Sequence, residues 1–577
     1  MTEQSQDTQA GTESSAIERD RQLLIDARKK GKGALLGAFV RLSGPGWLQS
    51  AITLGGGSLA NALYLGILGG LAFMWLQPLA MIMGVVMLSA IGYVTLSTGE
   101  KPFRAINKHV NPVLGWGWII ATMLANLVWC LPQYSLGTAA IRQNLLPGLL
   151  GTDSGLTDFQ ANAIIVAAIT VLCVGIVIFY DKGRKGVRVL EWVLKGMVGI
   201  IVVSFIGVVV VMSMSEGGLD WSQIGAGFIP DLSLLSKPAG TFDAALGAVG
   251  GGFSDFWSNT IVSQQRDVMI GAAATAVGIN MTFLLPYSML KKGWDKNFRG
   301  LAIFDLSTGL IIPFILVTGC VVIAAATQFH NKPAEGVFEG TAKPALMAKY
   351  EKLAGARISK EIGAEEFKAL SKDEVAQRIK ALPEADRKMA AMLVKRDAFD
   401  MAKSLSPLTG KDFANYVFGL GVVGMAISSI MVLMLINGFV VSEIAGVESR
   451  GWTYRLGAIM PAAVGMFGPF IWAGKTQMWL AVPTSVFGMV LIPIAYFTFF
   501  LLMNQKALLG ENCPRGLKRV VWNVLMFVAA SLAALGSFWS LWSKLKIWGI
   551  VIFVGFVVLA LVVQIVRKKP QSQLSKQ

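Results

Sequence analysis

The sequence predicts an all-α polytopic membrane protein of about twelve transmembrane helices. Three observations carry that prediction. Of 577 residues, 54% are hydrophobic and only 15% are charged, where a soluble globular protein carries about 25% charged residues. The mean hydropathy is +0.59, more apolar surface than a soluble core can absorb, so lipid must cover it. Apolar runs of about 20 residues, the length that crosses a bilayer, recur along the chain, with basic residues gathered in the short connections between them.

Taken in order, the runs place spans near 45–67, 72–95, 113–142, 160–180, 189–213, 268–290, 300–327, 412–441, 453–474, 480–504, 517–540 and 545–567. Orientation tests the count independently. With the N-terminus inside, the even-numbered connections should be cytoplasmic, and they read GEKPFRAINKH, DKGRKGVR, KKGWDKNFR, ESRGWTYR and NQKALLGENCPRGLKR, with a tail that begins RKK. Short basic loops face the cytoplasm. The N-terminal stretch is polar and then basic (Arg28, Lys29, Lys30, Lys32), as suits a cytoplasmic tail. The expected organisation is a cytoplasmic tail (1–42), spans one to seven (43–327) with an outer loop at 214–267, an extracytoplasmic helical insertion (328–410), spans eight to twelve (411–568) and a cytoplasmic tail (569–577) in the cell membrane.

The insertion is charged and helix-prone, with KDEVAQRIKALPEADRKMAAMLVKR as its clearest amphipathic piece. It reads as a small outer cap, since a charge run is usually a solvated face; a dedicated binding module is the competing reading. Long loops translocate regardless of charge, so its lysines do not oppose an outer location. The outer loop, with DWSQIGAGFIPDL and GAVGGGFSDFW, is either packed or re-entrant.

The net charge is +16, which in another chain would suggest nucleic acid; the topology signal explains it here, and no nucleic-acid partner is expected. Three of the four cysteines (Cys130, Cys173, Cys320, Cys513) lie in apolar runs, where a buried thiol is ordinary. The two histidines, His109 and His330, fall in polar connections, which speaks against a histidine-ligated metal or a Ser-His-Asp hydrolase. No nucleophile–base constellation, nucleotide loop or metal cluster is visible, so neither an enzyme nor a cofactor is expected.

Chemistry should sit where helices are interrupted. The first span contains Gly55-Gly56-Gly57-Ser58 followed by Asn61, and each glycine in a helix costs about 1 kcal/mol against alanine. Freed backbone groups survive in a bilayer only when they line a cavity or are buried in protein, so this stretch reads as an unwound segment near the midplane; close helix packing through small residues is the alternative. The sixth span offers a counterpart in Gly278, Asn280, Met281, Thr282 and Pro286. Interruptions at corresponding places in two halves point to a transporter's binding site, and spans one and six each open a set of five. The two breaks are expected to face one another.

Other polar residues in or near spans are candidates for a pathway. Asn126 and Gln477 either line it or hydrogen-bond between helices. Asp305 lies early in span seven and is either functional, as an intramembrane acid, or a solvated or helix-start residue. Asp255 would supply a carboxylate if the outer GGGFSDFW segment folded inward.

Roughly residues 43–530 resemble the Nramp family of divalent-metal transporters. The resemblance is carried by SGPGWLQSAITLGGGSLANALYLG in span one, DKGRKGVRVLEWVLK between spans four and five, GLGVVGMAISSIMVLMLINGFVVSE in span eight and VPTSVFGMVLIPIAYFTFFLLMNQKALLG in span ten. It implies a LeuT-like 5+5 inverted repeat plus two extra helices, and a secondary transporter working by alternating access on an inorganic ion. It also exposes departures. The family's first-span Asp-Pro-Gly-Asn motif falls here on Gly55, Gly56, Gly57 and Ser58, and Asn280 stands at its sixth-span methionine. The acidic residues that it uses in span three are replaced near Leu131, Gln133 and Tyr134. Carboxylates normally hold divalent cations, and sulfur selects soft ones, so the remaining neutral groups imply altered selectivity. A transport-inactive membrane sensor that keeps the fold, or a transporter of an anion or small neutral solute, are the alternatives.

Overall fold

A computed structural model describes residues 3–151, 154–180, 183–215, 218–250, 252–342, 344–394, 396, 411–471 and 481–567. Among these residues there is helix and no strand, and twelve helical stretches are long and apolar enough to cross a membrane.

Helices α1 (Glu3–Lys30) and α2 (Lys32–Leu42) precede the first span, which is split into α3 (Pro45–Thr53) and α4 (Gly56–Gly69). Spans two to five are α5 (Leu76–Thr98), α6 (Pro112–Ala140), α7 (Asp158–Tyr180) and α8 (Arg184–Met214). The sixth is split into α9 (Ser254–Ala276) and α10 (Ile279–Lys291), and the seventh into α11 (Arg299–Leu306) and α12 (Ile312–Phe329) by a π-helical stretch at Ser307–Ile311. The insertion supplies α13 (Pro344–Ile362), α14 (Lys372–Ala381) and α15 (Glu384–Met392). The last five spans are α16 (Lys411–Ile444), α17 (Gly451–Gly465), α18 (Ala481–Met503), α19 (Gly516–Leu545) and α20 (Ile547–Arg567).

The split spans lie at the centre. Helix α4 packs against α12 and α9, α9 against α18, and α16 against α6, α8 and α17. The sixth span starts at Ser254, well before the expected 268. Its first turns are polar, yet Gln265 is fully buried because its amide donates to the Leu234 and Lys237 carbonyls and accepts from the Ala239 amide. The outer loop wraps that face of the helix, which is how a polar sequence becomes part of a span.

Both ends of the described chain and the basic connections share one face, called here the terminal face. Arg21 pairs with Asp295 at 3.0 Å, Arg28 donates to the Asn297 carbonyl at 2.6 Å, and Arg567 to the Lys108 carbonyl at 3.2 Å. The insertion covers the opposite face. Asp386 on α15 accepts from the Trp257 indole on α9 at 2.6 Å and from Arg357 on α13 at 3.0 Å, all three side chains being buried. The Arg357 guanidinium also lies 3.1 Å from the centroid of Phe253.

His330, just past α12, ties this outer layer to α4. Its Nδ1 sits 2.8 Å from the Ile67 carbonyl and its Nε2 2.7 Å from the Thr241 hydroxyl. A carbonyl only accepts, so Nδ1 carries the hydrogen and Nε2 accepts from Thr241, the neutral tautomer. Burial pushes the imidazole pKa down, and the Ile67 bond pulls it part of the way back. A histidine whose folded pKa lies below its unfolded value stabilises the fold fully above that unfolded value, about 6.5. The contribution is lost as pH falls through the lower folded pKa. The protection of residues 218–250 against hydrogen exchange, corrected for the slower intrinsic exchange of amides in acid, should therefore fall in mild acid, and His330→Gln should remove most of that pH dependence. Equal protection factors at pH 5 and pH 7 in the unaltered protein would exclude the switch.

Candidate functional site

Helix α3 stops at Thr53 because glycine follows at three consecutive positions. Leu54 leaves the helix and Gly55 is extended, with φ −105° and ψ −177°, before α4 restarts at Gly56. Such an interruption orphans the last carbonyls of one helix and the first amides of the next. Side chains satisfy them. The Ser428 hydroxyl donates to the Ala51 carbonyl at 3.0 Å, Ser429 lies 3.4 and 3.5 Å from the Ala51 and Ile52 carbonyls, and Ser58 donates to Thr53. The Gly56 amide donates to the Gln133 side chain at 3.0 Å.

The second break, at Val277 and Gly278, is closed by the first. The Thr53 hydroxyl lies 2.9 and 2.8 Å from the Thr275 and Ala276 carbonyls at the end of α9. Gln49 of α3 donates to the Met281 carbonyl at 3.2 Å. The two interruptions thus lie against each other.

Between them is a cavity of about 30 Å³ bordered by Gly55, Gly57, Ser58, Gln133, Thr275 and Ser485. That is room for one or two waters. Its polar groups are hydroxyls, amides and backbone, all neutral. Gly55 is required by crowding, since a Cβ there would come within 2.4 Å of the Ser429 hydroxyl.

Not every expected residue reaches the cavity. Asn61 is next to it, fully buried, with its amide donating to the Gly57 carbonyl at 2.8 Å and to Ser485 at 3.2 Å. Gly278 caps the start of α10 but lies against Trp129. Asn280, Met281 and Thr282 fall on the first turn of α10, outside the cavity lining. Asn280 accepts from the Met281 amide at 2.9 Å, and Thr282 accepts from the Trp118 indole at 2.9 Å. The break comes just ahead of them, so their side chains serve the restarting helix.

Tyr134 bonds Thr170 of α7 at 2.9 Å, while the buried Asn126 amide has no hydrogen-bond partner among the described residues. Asp255 is exposed in the first turn of α9. It does not fold inward, because the segment that holds it is the start of the sixth span, on the side away from the terminal face. Gln477 lies outside the described residues. Sequence reasoning missed Thr53, Thr275, Ser428, Ser429 and Ser485. Ser428 and Ser429 did leave a signal, as adjacent hydroxyls in an otherwise apolar eighth span.

Asp305 has a different and definite place. It is buried, and its carboxylate accepts from Gly46 at 2.6 Å, from Gly44 at 3.2 and 3.3 Å, and from the Ser43 hydroxyl. It is the N-cap of α3 supplied from another helix, so the solvated reading falls. A carboxylate at a helix N-terminus meets free amides and the positive end of the dipole. Close approach demands glycine, since a Cβ at Gly46 would lie 2.2 Å from the Asp305 carbonyl oxygen. Beside the cap, Lys195 donates to the Ser43 carbonyl at 2.9 Å and Lys292 pairs with Glu191 at 2.8 Å. These bonds hold α3 against α8, α10 and α11 on the terminal face.

The profile of the family described as natural resistance-associated macrophage protein-like matches residues 46–356 and 388–543. The chain belongs to the Nramp family. Solved structures of similar fold include the Eremococcus coleocola manganese transporter. A histidine-to-alanine mutant of it matches at 13% identity and TM-score 0.58, over 92% of this chain and 94% of that one. Its complex with an aromatic bis-isothiourea substituted compound also matches at 13% and 0.58, over 93% and 95%. A search of curated protein sequences gave no significant match. As an Nramp protein with the LeuT-like arrangement, the chain is a multi-pass secondary transporter of the metal-ion class, from a family of transporters and not of enzymes.

Proposed function

We propose that this Nramp protein carries a divalent cation that keeps most of its water, as magnesium does, past the paired breaks by alternating access, and that it discriminates against soft transition metals. The observation that supports this reading is the donor set. Where the two breaks meet, the described residues offer hydroxyl, amide and carbonyl oxygens, without carboxylate, thiolate or imidazole. Among the described residues no group of three or more His, Cys, Asp or Glu is placed to hold a metal ion. Neutral oxygens return only part of the hydration energy that a naked divalent ion gives up, and magnesium is the ion that sheds water most reluctantly. A space of about 30 Å³ is too small for a hydrated ion. Passage therefore requires the clasps from Thr53, Ser58 and Ser429 to open as α3 or α9 moves. Basic short connections on the terminal face support a cytoplasmic location for both termini of a cell-membrane protein.

Proteoliposome flux tests the reading. Magnesium should pass, and manganese at equal concentration should neither pass nor compete. Gly55→Asp combined with Ser429→Ala, which removes the hydroxyl that a Cβ at 55 would strike, should raise manganese affinity more than tenfold by calorimetry. Tight manganese binding by the unaltered protein, abolished by a change remote from the breaks such as Asp255→Ala, would show the site to be elsewhere.

A further inference from the structure

A second cavity, of about 550 Å³, opens on the terminal face between α1, α2, α8, α10 and the 448–450 connection. Six cationic side chains line it: Arg41, Arg188, Lys195, Lys291, Lys292 and Arg450. Three acidic ones, Asp20, Glu191 and Glu448, oppose them, leaving a clear positive excess. The lysines have partners: Lys292 has Glu191 at 2.8 Å, Lys195 the Ser43 carbonyl at 2.9 Å, and Lys291 the Ser449 carbonyl at 3.0 Å. The side chains of Arg41, Arg188 and Arg450 make no hydrogen bond or ion pair with any described residue. Three guanidinium groups left unpaired around one concave space favour a ligand that can accept several donors at once, and a phosphate group is such a ligand.

The rim says where that phosphate comes from. Trp192 lines the cavity and is 71% exposed, and Val189 beside it is 43% exposed. Across the opening, α2 turns Leu36 and Val40 outward, at 53% and 64% exposure, in the manner of an interfacial helix with one apolar face in lipid. The charged pocket thus joins an apolar wall at the membrane boundary, where basic pockets between spans hold lipid headgroups. We infer that this cavity binds the phosphate headgroup of an anionic phospholipid, with Arg41, Arg188 and Arg450 as its ligands and an acyl chain along the outer face of α8.

The floor of the cavity gives such binding a consequence. Ser43 lies there, and its hydroxyl and carbonyl are held by Asp305 and Lys195. A bound headgroup sits beside the bonds that fasten α3. It also offsets positive charge that would repel a cation crossing this face.

The test uses the full-length protein in detergent and reads thermal unfolding against short-chain phosphatidylglycerol, short-chain phosphatidylcholine and inorganic phosphate. Phosphatidylglycerol should raise the Tm saturably, less so at high salt because the attraction is screened. Inorganic phosphate should need more than tenfold higher concentration for the same shift. The triple variant Arg41→Gln, Arg188→Gln, Arg450→Gln removes unpaired side chains and should fold normally while losing the phosphatidylglycerol shift. Lys506→Gln, outside the cavity, should keep it. A shift equal for phosphatidylcholine, or unchanged in the triple variant, would overturn the site. Equal potency of inorganic phosphate would overturn the lipid as its source.

Discussion

Replacing Asp386 by alanine should detach the outer cap while leaving the membrane core folded. The carboxylate joins Trp257 on α9 to Arg357 on α13, and Arg357 reaches Glu361 at 2.6 Å besides. Asp386, Arg357 and Trp257 are buried, so truncation leaves the Trp257 indole N–H and the Arg357 Nε–H without their acceptor, while Glu361 still holds the other edge of the guanidinium. Each buried donor left unpaired costs about 1–3 kcal/mol, and both of these lie where the cap meets α9. Limited proteolysis should cut within 344–392 at least a hundredfold faster in Asp386→Ala, and Asp386→Asn should fall between the two. Unchanged cleavage in Asp386→Ala would mean that the cap is held by its apolar contacts alone.

The second large effect is expected at Asp305. Asp305→Ala takes the acceptor away from the Gly44 and Gly46 amides and from the Ser43 hydroxyl. Each buried donor left unpaired costs about 1–3 kcal/mol, all of it charged to the position of α3. Helix α3 should swing free of α11 and expose the breaks to the terminal face. A cysteine at Ser50, a fully buried position, should react with a water-soluble maleimide added to that face at least tenfold faster in the Asp305→Ala background. Asp305→Asn, which keeps one acceptor oxygen, should show a smaller gain. Equal labelling in all three would exclude Asp305 as the fastening of this helix.

The sequence made the helix breaks legible because glycine's cost inside a helix is local, and Gly55 to Gly57 announce the first interruption directly. The second break comes just ahead of the expected residues, and Asn280, Met281 and Thr282 lie outside the lining of the cavity. The helix restarts at Ile279, and this turns Asn280, Met281 and Thr282 into first-turn residues. What closes the site is long-range: Ser428 reaches Ala51, and Thr53 reaches Ala276. No periodicity carries such a pairing. Asp305 drew attention as an acid in a span, but capping a helix that begins at Pro45 depends on how α11 packs. The start of α9 escaped hydropathy for a related reason, since Gln265 is paid for by carbonyls of a loop some thirty residues upstream.

Helix α20 stands apart from this interlocked interior. The family profile ends at residue 543, before α20 begins, and only 6% of its most apolar window is covered by protein. Asn111 donates to its Ala560 carbonyl at 2.8 Å and its Arg567 reaches Lys108. Its residence in the bilayer is therefore decided by its own partitioning, residue by residue, and not by its neighbours. During synthesis such a segment can leave the translocation machinery sideways at any time without waiting for the bundle to assemble.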